Sequence, residues 1–370
     1  MIRASAIVLV LLSHTIPGGT EYPALGAARY YLGVLGVEIF FLLSGFLIGG
    51  ILIDELFSSH LDWIDGVGSF WKRRWFRTLP NFYLFLIITI LQERLVSGKF
   101  PDGAGKFFWF GQACLYPDPD FFAGAWSLAI EEWFYLLFPL TIFVLARFLK
   151  NRSALLSVIV IFIVVPVVFR FFLPATTYWD PGVRRITLPR LDSITYGVIL
   201  AFLKKFHADA WRFLSRLWPL GLVAVLSLSC HFCHHAVTYG YFSSESIFYR
   251  VFYFCVLAFV LMLAFPELAE PDGRWKVIVQ KISLWSYSIY LCHPVVIGCV
   301  DVALKHLGAG YFQAHIERCV LAWLICIPLS GLIYRLYERP LMNLRDKPFR
   351  SILFKAPAKA AIEQRAQSSN

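Results

Sequence analysis

Apolar runs of about 18 residues or more recur along this chain, long enough to cross a hydrocarbon layer of ~30 Å. Lipid offers no water to satisfy backbone amides and carbonyls, so a spanning segment must satisfy them internally as a helix or close into a barrel. Continuous apolar runs without strict alternation select the helix. Ten spans are read, near 4–19, 31–53, 79–95, 125–146, 154–174, 190–203, 217–235, 247–266, 284–304 and 316–334. The expected fold is all-α, a polytopic membrane helical bundle with about ten transmembrane helices. Residues 1–345 form the transmembrane domain. Residues 346–370 form a small, polar, basic tail, expected to be disordered on the cytoplasmic side.

The formal charge of +10 would suggest nucleic acid on a water-soluble chain, but here topology accounts for it. With the N-terminus inside, 23 of the 34 lysines and arginines fall in inside segments. That bias follows the positive-inside rule, places both termini in the cytoplasm and leaves no call for a nucleic-acid partner. The opening "MIRASAIVLVLLSHT" also has the form of a signal peptide, with "ALG" at 24–26 as a weak cleavage site. Cleavage there would remove His14.

The eight cysteines are scattered, mostly in apolar runs, where small buried thiols are the default. One cluster, "CHFCHH" at 230–235, matches the C-x-x-C-H haem-attachment spacing and has metal-capable side chains. A single short match without a second ligand set does not define a site, and no metal ligand is assigned.

Ionisable residues within spans are functional candidates, because lipid makes them costly. Arg3 and His14 are eleven residues apart, which on a helix is about 20° in azimuth and about 16 Å in height. They share a face, with the arginine at the cytoplasmic mouth and the histidine deep in the membrane. Histidine is the natural general base near neutral pH. In "AWSLAIEEWFYLLFP", Ser127, Glu131 and Tyr135 fall at i, i+4 and i+8, so Glu131 faces a polar interior. Glu132 shares its stripe with Leu128 and Leu136, and Trp126 reads as an anchor at the outer interface. "KRRWFRTLP" at 72–80 groups Arg73, Arg74 and Arg77 beside the start of a span, which suits an anion. Gly45 and Gly49 have the G-x-x-x-G spacing of closely approaching helices. "SLWSYSIYLCHPVV" carries Tyr287, Tyr290 and His293 into another span.

In their order along the chain these motifs resemble acyltransferase family 3, the integral-membrane acyltransferases that include O-antigen and exopolysaccharide O-acetylases. The resemblance covers about residues 3–340. It rests on R-x-x-A-x-x-x-V-x-x-x-H from Arg3 to His14, G-V-E-x-F-F-x-x-S-G-F at 36–46 and R-R-x-x-R-x-x-P from Arg73 to Pro80. It continues with W-S-L-x-x-E-E-x-F-Y-x-x-x-P from Trp126 to Pro139, R-x-D-x-x-x-x-G from Arg190 to Gly197, S-Y-x-x-Y-L-x-H-P from Ser286 to Pro294, and E-x-P at Glu338 and Pro340. Family members usually carry several residues, often D-x-L, ahead of the first arginine; this chain begins Met1-Ile2-Arg3.

The resemblance implies transfer of an acyl group, commonly acetyl, from cytoplasmic acyl-CoA to a hydroxyl of a cell-surface or lipid-linked glycan in the inner membrane of a bacterium. It implies acyl-CoA as co-substrate rather than a bound cofactor. In that scheme Arg73, Arg74 and Arg77 hold the coenzyme phosphates with Arg3 assisting. His14 takes the acceptor proton and Glu131 orients its ring. Arg190, Tyr287, Tyr290 and His293 line the acceptor side, and Glu338 pairs with the cytoplasmic arginines. Direct transfer and an acyl-histidine intermediate both fit. A proton-coupled transporter, with the buried Glu and His residues as its relay, is the alternative reading; it calls for inverted repeats, and none is visible.

Overall fold

The computed structural model describes residues 1–16, 23–57, 63–115, 120–122, 124–240, 246–267, 276–307 and 311–344; the expected tail at 346–370 lies outside them. The described chain is helical, without a strand. In order it runs α1 (Ile2–Thr15), α2 (Pro23–Phe57), α3 (Trp63–Ser97), α4 (Ala104–Phe107), α5 (Ala125–Leu145), α6 (Asn151–Phe172), α7 (Asp192–Phe206), α8 (Ala208–Arg216), α9 (Trp218–Tyr239), α10 (Tyr253–Ala264), α11 (Lys276–His306), α12 (Tyr311–Ile333) and α13 (Arg339–Leu344). π-Helical turns occupy Trp179–Arg184, Phe248–Phe252 and Tyr334–Glu338.

Helices occupy all ten segments read as spans, but seven among the described residues are long and apolar enough to cross a membrane. The other three, α1, α7 and α10, are shorter. The 14 residues of α1 rise only about 21 Å. It is buried on several sides, by Ile2, Ala6, Ile7, Val10 and Leu11 among others, so the surrounding protein rather than lipid holds it. Outward faces are apolar instead. On α6, Val160, Val164, Val165, Val168 and Phe172 are exposed, as are Leu220, Val223 and Leu226 on α9. Such contiguous exposure suits hydrocarbon as solvent.

The long α2 packs most extensively against α7 and α1. Glycine makes the α7 contact possible, as the G-x-x-x-G spacing anticipates. A Cβ on Gly45 would run into the Ile194 carbonyl, one on Gly49 would press on Val198, and one on Gly197 would run into the Leu42 carbonyl. The backbones therefore sit closer than any side chain allows.

Part of the charge deep in the bundle is sealed in ion pairs. Arg170 of α6 grips Asp192 of α7 with two hydrogen bonds of 2.9 and 2.6 Å, both side chains fully buried. Its remaining donors go to the carbonyls of Pro189 and of Val251, the latter at 3.1 Å, and to Cys255 Sγ at 3.2 Å. Arg190 pairs with Glu38 of α2 and lies over the Phe254 ring. Cys230 and Cys233 sit on α9 as free thiols, and no group of three metal-capable side chains occurs among the described residues.

The glycine seam gives a stability test. Gly45→Ala is expected to cost about 1–3 kcal/mol through overpacking against backbone that cannot yield. Gly50→Ala, whose Cβ meets open space, should leave the thermal midpoint in detergent unchanged. Equal midpoints for the two variants would refute the close-approach account.

Candidate active site

Two cavities flank the middle of the bundle, at opposite ends of the face that α1 turns inward. The first, an arginine chamber of about 70 Å³, is lined by Arg3, Arg74, Arg77, Glu131, Tyr287 and Tyr290, among others. The second, a histidine chamber of about 320 Å³, is lined by His14, His293, Arg29, Arg184, Arg185 and Arg318, with Tyr30 and Trp126. Val37 and Tyr290 line both, so they form the partition between them.

His14 projects from the last turn of α1, exposed toward the histidine chamber. Its Nδ1 lies 2.8 Å from the Val10 carbonyl and 2.9 Å from Ser13 Oγ. Ser13 donates its own proton to that same carbonyl at 2.7 Å. A carbonyl oxygen only accepts, so Nδ1 carries the hydrogen, and in the neutral ring Nε2 then keeps a free lone pair. The ring meets His293 edge to face, with centroids 4.8 Å apart. His293 is itself buried, its Nδ1 donating to the Ile289 carbonyl at 3.2 Å.

Glu131 is placed elsewhere. The stripe read from helical phase is real: Tyr135 donates to Glu131 at 2.9 Å, one turn along α5. The carboxylate's ion-pair partner is Arg74, at 3.6 Å, rather than His14. Arg74 also lies over the Tyr135 ring, 4.0 Å from its centre, and donates to the Tyr135 hydroxyl. No hydrogen bond joins His14 to Glu131. The neighbour that the histidine does have is a second histidine.

The arginine motif divides by helical phase. Arg74 and Arg77, three apart, line the chamber with Arg3. Arg73, a further 100° around the helix, is exposed on the outer face of α3 and lines neither cavity. Tyr287 lines the arginine chamber and donates to the Thr78 carbonyl at 2.8 Å. Tyr290 holds the partition in place, its hydroxyl 2.6 Å from Ser127 Oγ and 3.1 Å from the Gly124 carbonyl.

Three expectations move. Arg190 is sealed in its pair with Glu38 and reaches neither chamber, because a carboxylate from α2, 152 residues away, neutralises it. Glu338 makes no ion pair among the described residues; it accepts from Asn81 at 3.0 Å and Ser288 at 2.7 Å. Trp126 is buried in the wall of the histidine chamber under the Arg184 guanidinium, 4.6 Å away, rather than anchored at an interface. Glu132 is buried beside an aromatic pocket that includes Trp75, Tyr83 and Trp133.

Motif reading missed Arg29, Arg184, Arg185 and Arg318. A signal was present: these four fall on the outer side of the expected topology, where the positive-inside rule does not call for them. Asp180 organises two of them. In the π-helical turn it binds Arg184 at 2.7 Å and also pairs with Arg185, while accepting from the Tyr30 hydroxyl. Burial pushes its carboxyl upward, but the two guanidinium groups outweigh burial and hold it below its ordinary 3.8.

Against this geometry the comparisons with known proteins can be set. A family model described as "Acyltransferase domain" matches residues 1–335. The chain belongs to this acyltransferase family. Within it, the chain is 27% identical to a protein from Listeria monocytogenes named peptidoglycan O-acetyltransferase OatA, over 84% of this chain and 51% of that protein. It is 28% identical to O-acetyltransferase OatA from Staphylococcus aureus, over 95% of this chain and 58% of that protein. The chain thus spans about half the length of these curated relatives. No solved structure matches it. The acyltransferase matches agree with the family resemblance carried by the motifs, and with a multi-pass membrane protein.

Asp180 yields a pH prediction. A carboxylate depressed in the fold contributes stability above its unfolded value, and loses that contribution as pH falls through the lower folded value. Thermal midpoints in detergent should therefore fall below about pH 4 for the wild type. Asp180→Asn should be less stable by about 3 kcal/mol near neutrality, since two buried guanidinium groups lose their partner, and should lack the acid step. An acid step of the same size in both proteins would exclude Asp180 as its origin.

Proposed function

We propose that the protein is an O-acyltransferase of the cytoplasmic membrane, moving an acyl group, in the simplest case acetyl, from acyl-CoA to a hydroxyl of a cell-surface or lipid-linked glycan. The observation that carries this reading is the pair of cavities meeting at Tyr290 and Val37, with arginines on one side and His14 on the other. A polyanionic donor and a hydroxyl acceptor need different surroundings and one shared boundary. The relatives' names, O-acetyltransferase and peptidoglycan O-acetyltransferase, support a cell-wall glycan as the acceptor class.

In this reading the N-terminus is cytoplasmic and acyl-CoA enters the arginine chamber. Arg3, Arg74 and Arg77 bind its phosphates as charge-assisted donors, and Arg73 does not take part. The uncharged thioester arm extends past Tyr290 toward His14. His14 Nε2 takes the proton of the acceptor hydroxyl as its oxygen attacks the thioester carbon. The C–S bond breaks, the ester forms, and the proton passes from His14 to the departing thiolate. Base catalysis of this kind is worth ~10²–10⁴-fold. Because His14 already donates Nδ1–H to Val10, its reactive tautomer is set before substrate arrives. Direct transfer therefore needs no rearrangement of the ring.

Glu131 becomes a positioning residue. It braces Arg74 from one side while Tyr135 supports the guanidinium face.

Acetyl transfer by the reconstituted chain tests the scheme. His14→Ala should insert normally and lose transfer by at least about 100-fold; undiminished transfer would end the proposal. The Arg74→Ala/Arg77→Ala pair should weaken acyl-CoA binding by about tenfold or more, with Arg73→Ala close to wild type. For Glu131→Gln the expected change is a higher donor KM with an unaltered pH–rate profile. A shifted profile would instead restore Glu131 as the partner of His14.

A further inference from the structure

The histidine chamber is cationic beyond what a neutral sugar hydroxyl requires. Four arginines line it, from α2 (Arg29), the π-helical turn and its end (Arg184, Arg185) and α12 (Arg318), and among the described residues no carboxylate does. The carboxylates near it sit behind these arginines: Asp180 on Arg184 and Arg185, and Asp301 on Arg318 at 2.7 Å. Among the described residues, the ion pairs on these four arginines involve two carboxylates, Asp180 and Asp301. Arg29 has no ion pair or hydrogen bond among the described residues, and its Nε is buried without a partner. Arg29 is half-buried, and a donor buried without a partner, as its Nε is, is costly. Topology does not account for it either, since the outer side of a membrane protein calls for no excess of Arg.

Resting on the acyltransferase reading above, we infer that the acceptor is an anionic glycan, whose carboxylate or phosphate is bound by Arg29 in the histidine chamber beside His14. At about 320 Å³ the chamber lies within the range of small-molecule sites, ~300–1,000 Å³. Arg184, fixed by Asp180 and resting on Trp126, and Arg318 present a second and third guanidinium to the same space. Fixed guanidinium groups bind carboxylate or phosphate in a defined orientation, which would set one hydroxyl of the sugar against His14 Nε2. A carboxylate belongs to an acidic sugar and a phosphate to a phosphorylated or lipid-diphosphate-linked one; the binding chemistry is shared.

The test starts from the glycan whose O-acetylation mass spectrometry shows to be lost in cells carrying His14→Ala. That glycan is purified and presented to the reconstituted full chain with acetyl-CoA in three forms: native, with carboxyl groups reduced to alcohols, and with phosphate removed enzymatically. The native form should be the best acceptor, and one of the two altered forms should lose about tenfold or more in KM; which one it is names the anion. Arg29→Gln should raise the native acceptor's KM by a similar factor, with kcat within about threefold and donor KM unchanged, and Arg29→Lys should recover part of the loss. An acceptor carrying neither carboxylate nor phosphate would overturn the inference. So would a fall in kcat at unchanged acceptor KM in Arg29→Gln, which would place the arginine on the transition state instead. Surface acetylation that persists in His14→Ala would instead bring down the acyltransferase reading itself, and this inference with it.

Discussion

Every charge inside a bilayer must be neutralised by the protein or surrounded by water, and this constraint sorts the ionisable residues of the bundle into two kinds. Arg170–Asp192 and Arg190–Glu38 are sealed, mutually neutral pairs that tie α7 to α6 and to α2. Replacing such pairs with apolar residues is often neutral or stabilising. Removing one partner alone leaves a buried charge and is strongly destabilising. Arg3, Arg77 and Arg29 are of the other kind: they line cavities without an ion-pair partner among the described residues. A span arginine in a sealed pair belongs to the scaffold, whereas one left unpaired on a cavity wall awaits an anion.

The scaffold pairs also explain how short helices persist in the bundle. α7 is only 15 residues long and begins with Asp192, a poor start for a segment facing lipid. Glycine contacts with α2 bring its backbone under cover, and Arg170 neutralises Asp192 while also satisfying the carbonyls of Pro189 and Val251. With α7 held, α2 is fixed, and α1, packed on α2, presents Arg3 and His14 at the two ends of one face. The geometry of both chambers thus depends on contacts that touch neither.

What could be read from the sequence was whatever local periodicity encodes. Helical phase placed Glu131 with Ser127 and Tyr135, set Arg3 and His14 on one face, and marked Gly45 and Gly49 for close approach. The order of motifs identified the family. Periodicity carries no information on which partner arrives from another helix, and there the expectations failed. Glu131 found Arg74, 57 positions upstream, and Arg190 found Glu38. The same limit hid the histidine chamber's arginines, whose four positions span α2 to α12 and share no motif. Their one local trace is a charge on the side where topology needs none. Arg73 shows a different limit: the helix turns 100° per residue, and on α3 that turn leaves Arg73 on the outer face while Arg74 lines the chamber.

Arginines lie near both ends of α1, and His14 at one of those ends has no carboxylate partner among the described residues, which has a consequence for how a group could cross the bundle. An ion-paired His14 would stabilise its protonated form and would hold a proton where a lone pair is needed. Its neighbour is instead a second imidazole, and its Nδ1 is committed to a backbone carbonyl. Neither is a carboxylate that would fix a positive charge on the ring. The partition at Val37 and Tyr290 offers an aliphatic side chain and a hydroxyl already bonded to Ser127 and Gly124, so it provides no charged group to hold phosphate. Under the proposed function the donor's phosphates therefore stop at Arg3, Arg74 and Arg77, the acceptor's anion stops at Arg29, and only the neutral acyl thioester and the sugar hydroxyl can meet. Charge segregation of this kind would keep each substrate on its own side of the membrane while the acyl group alone changes hands.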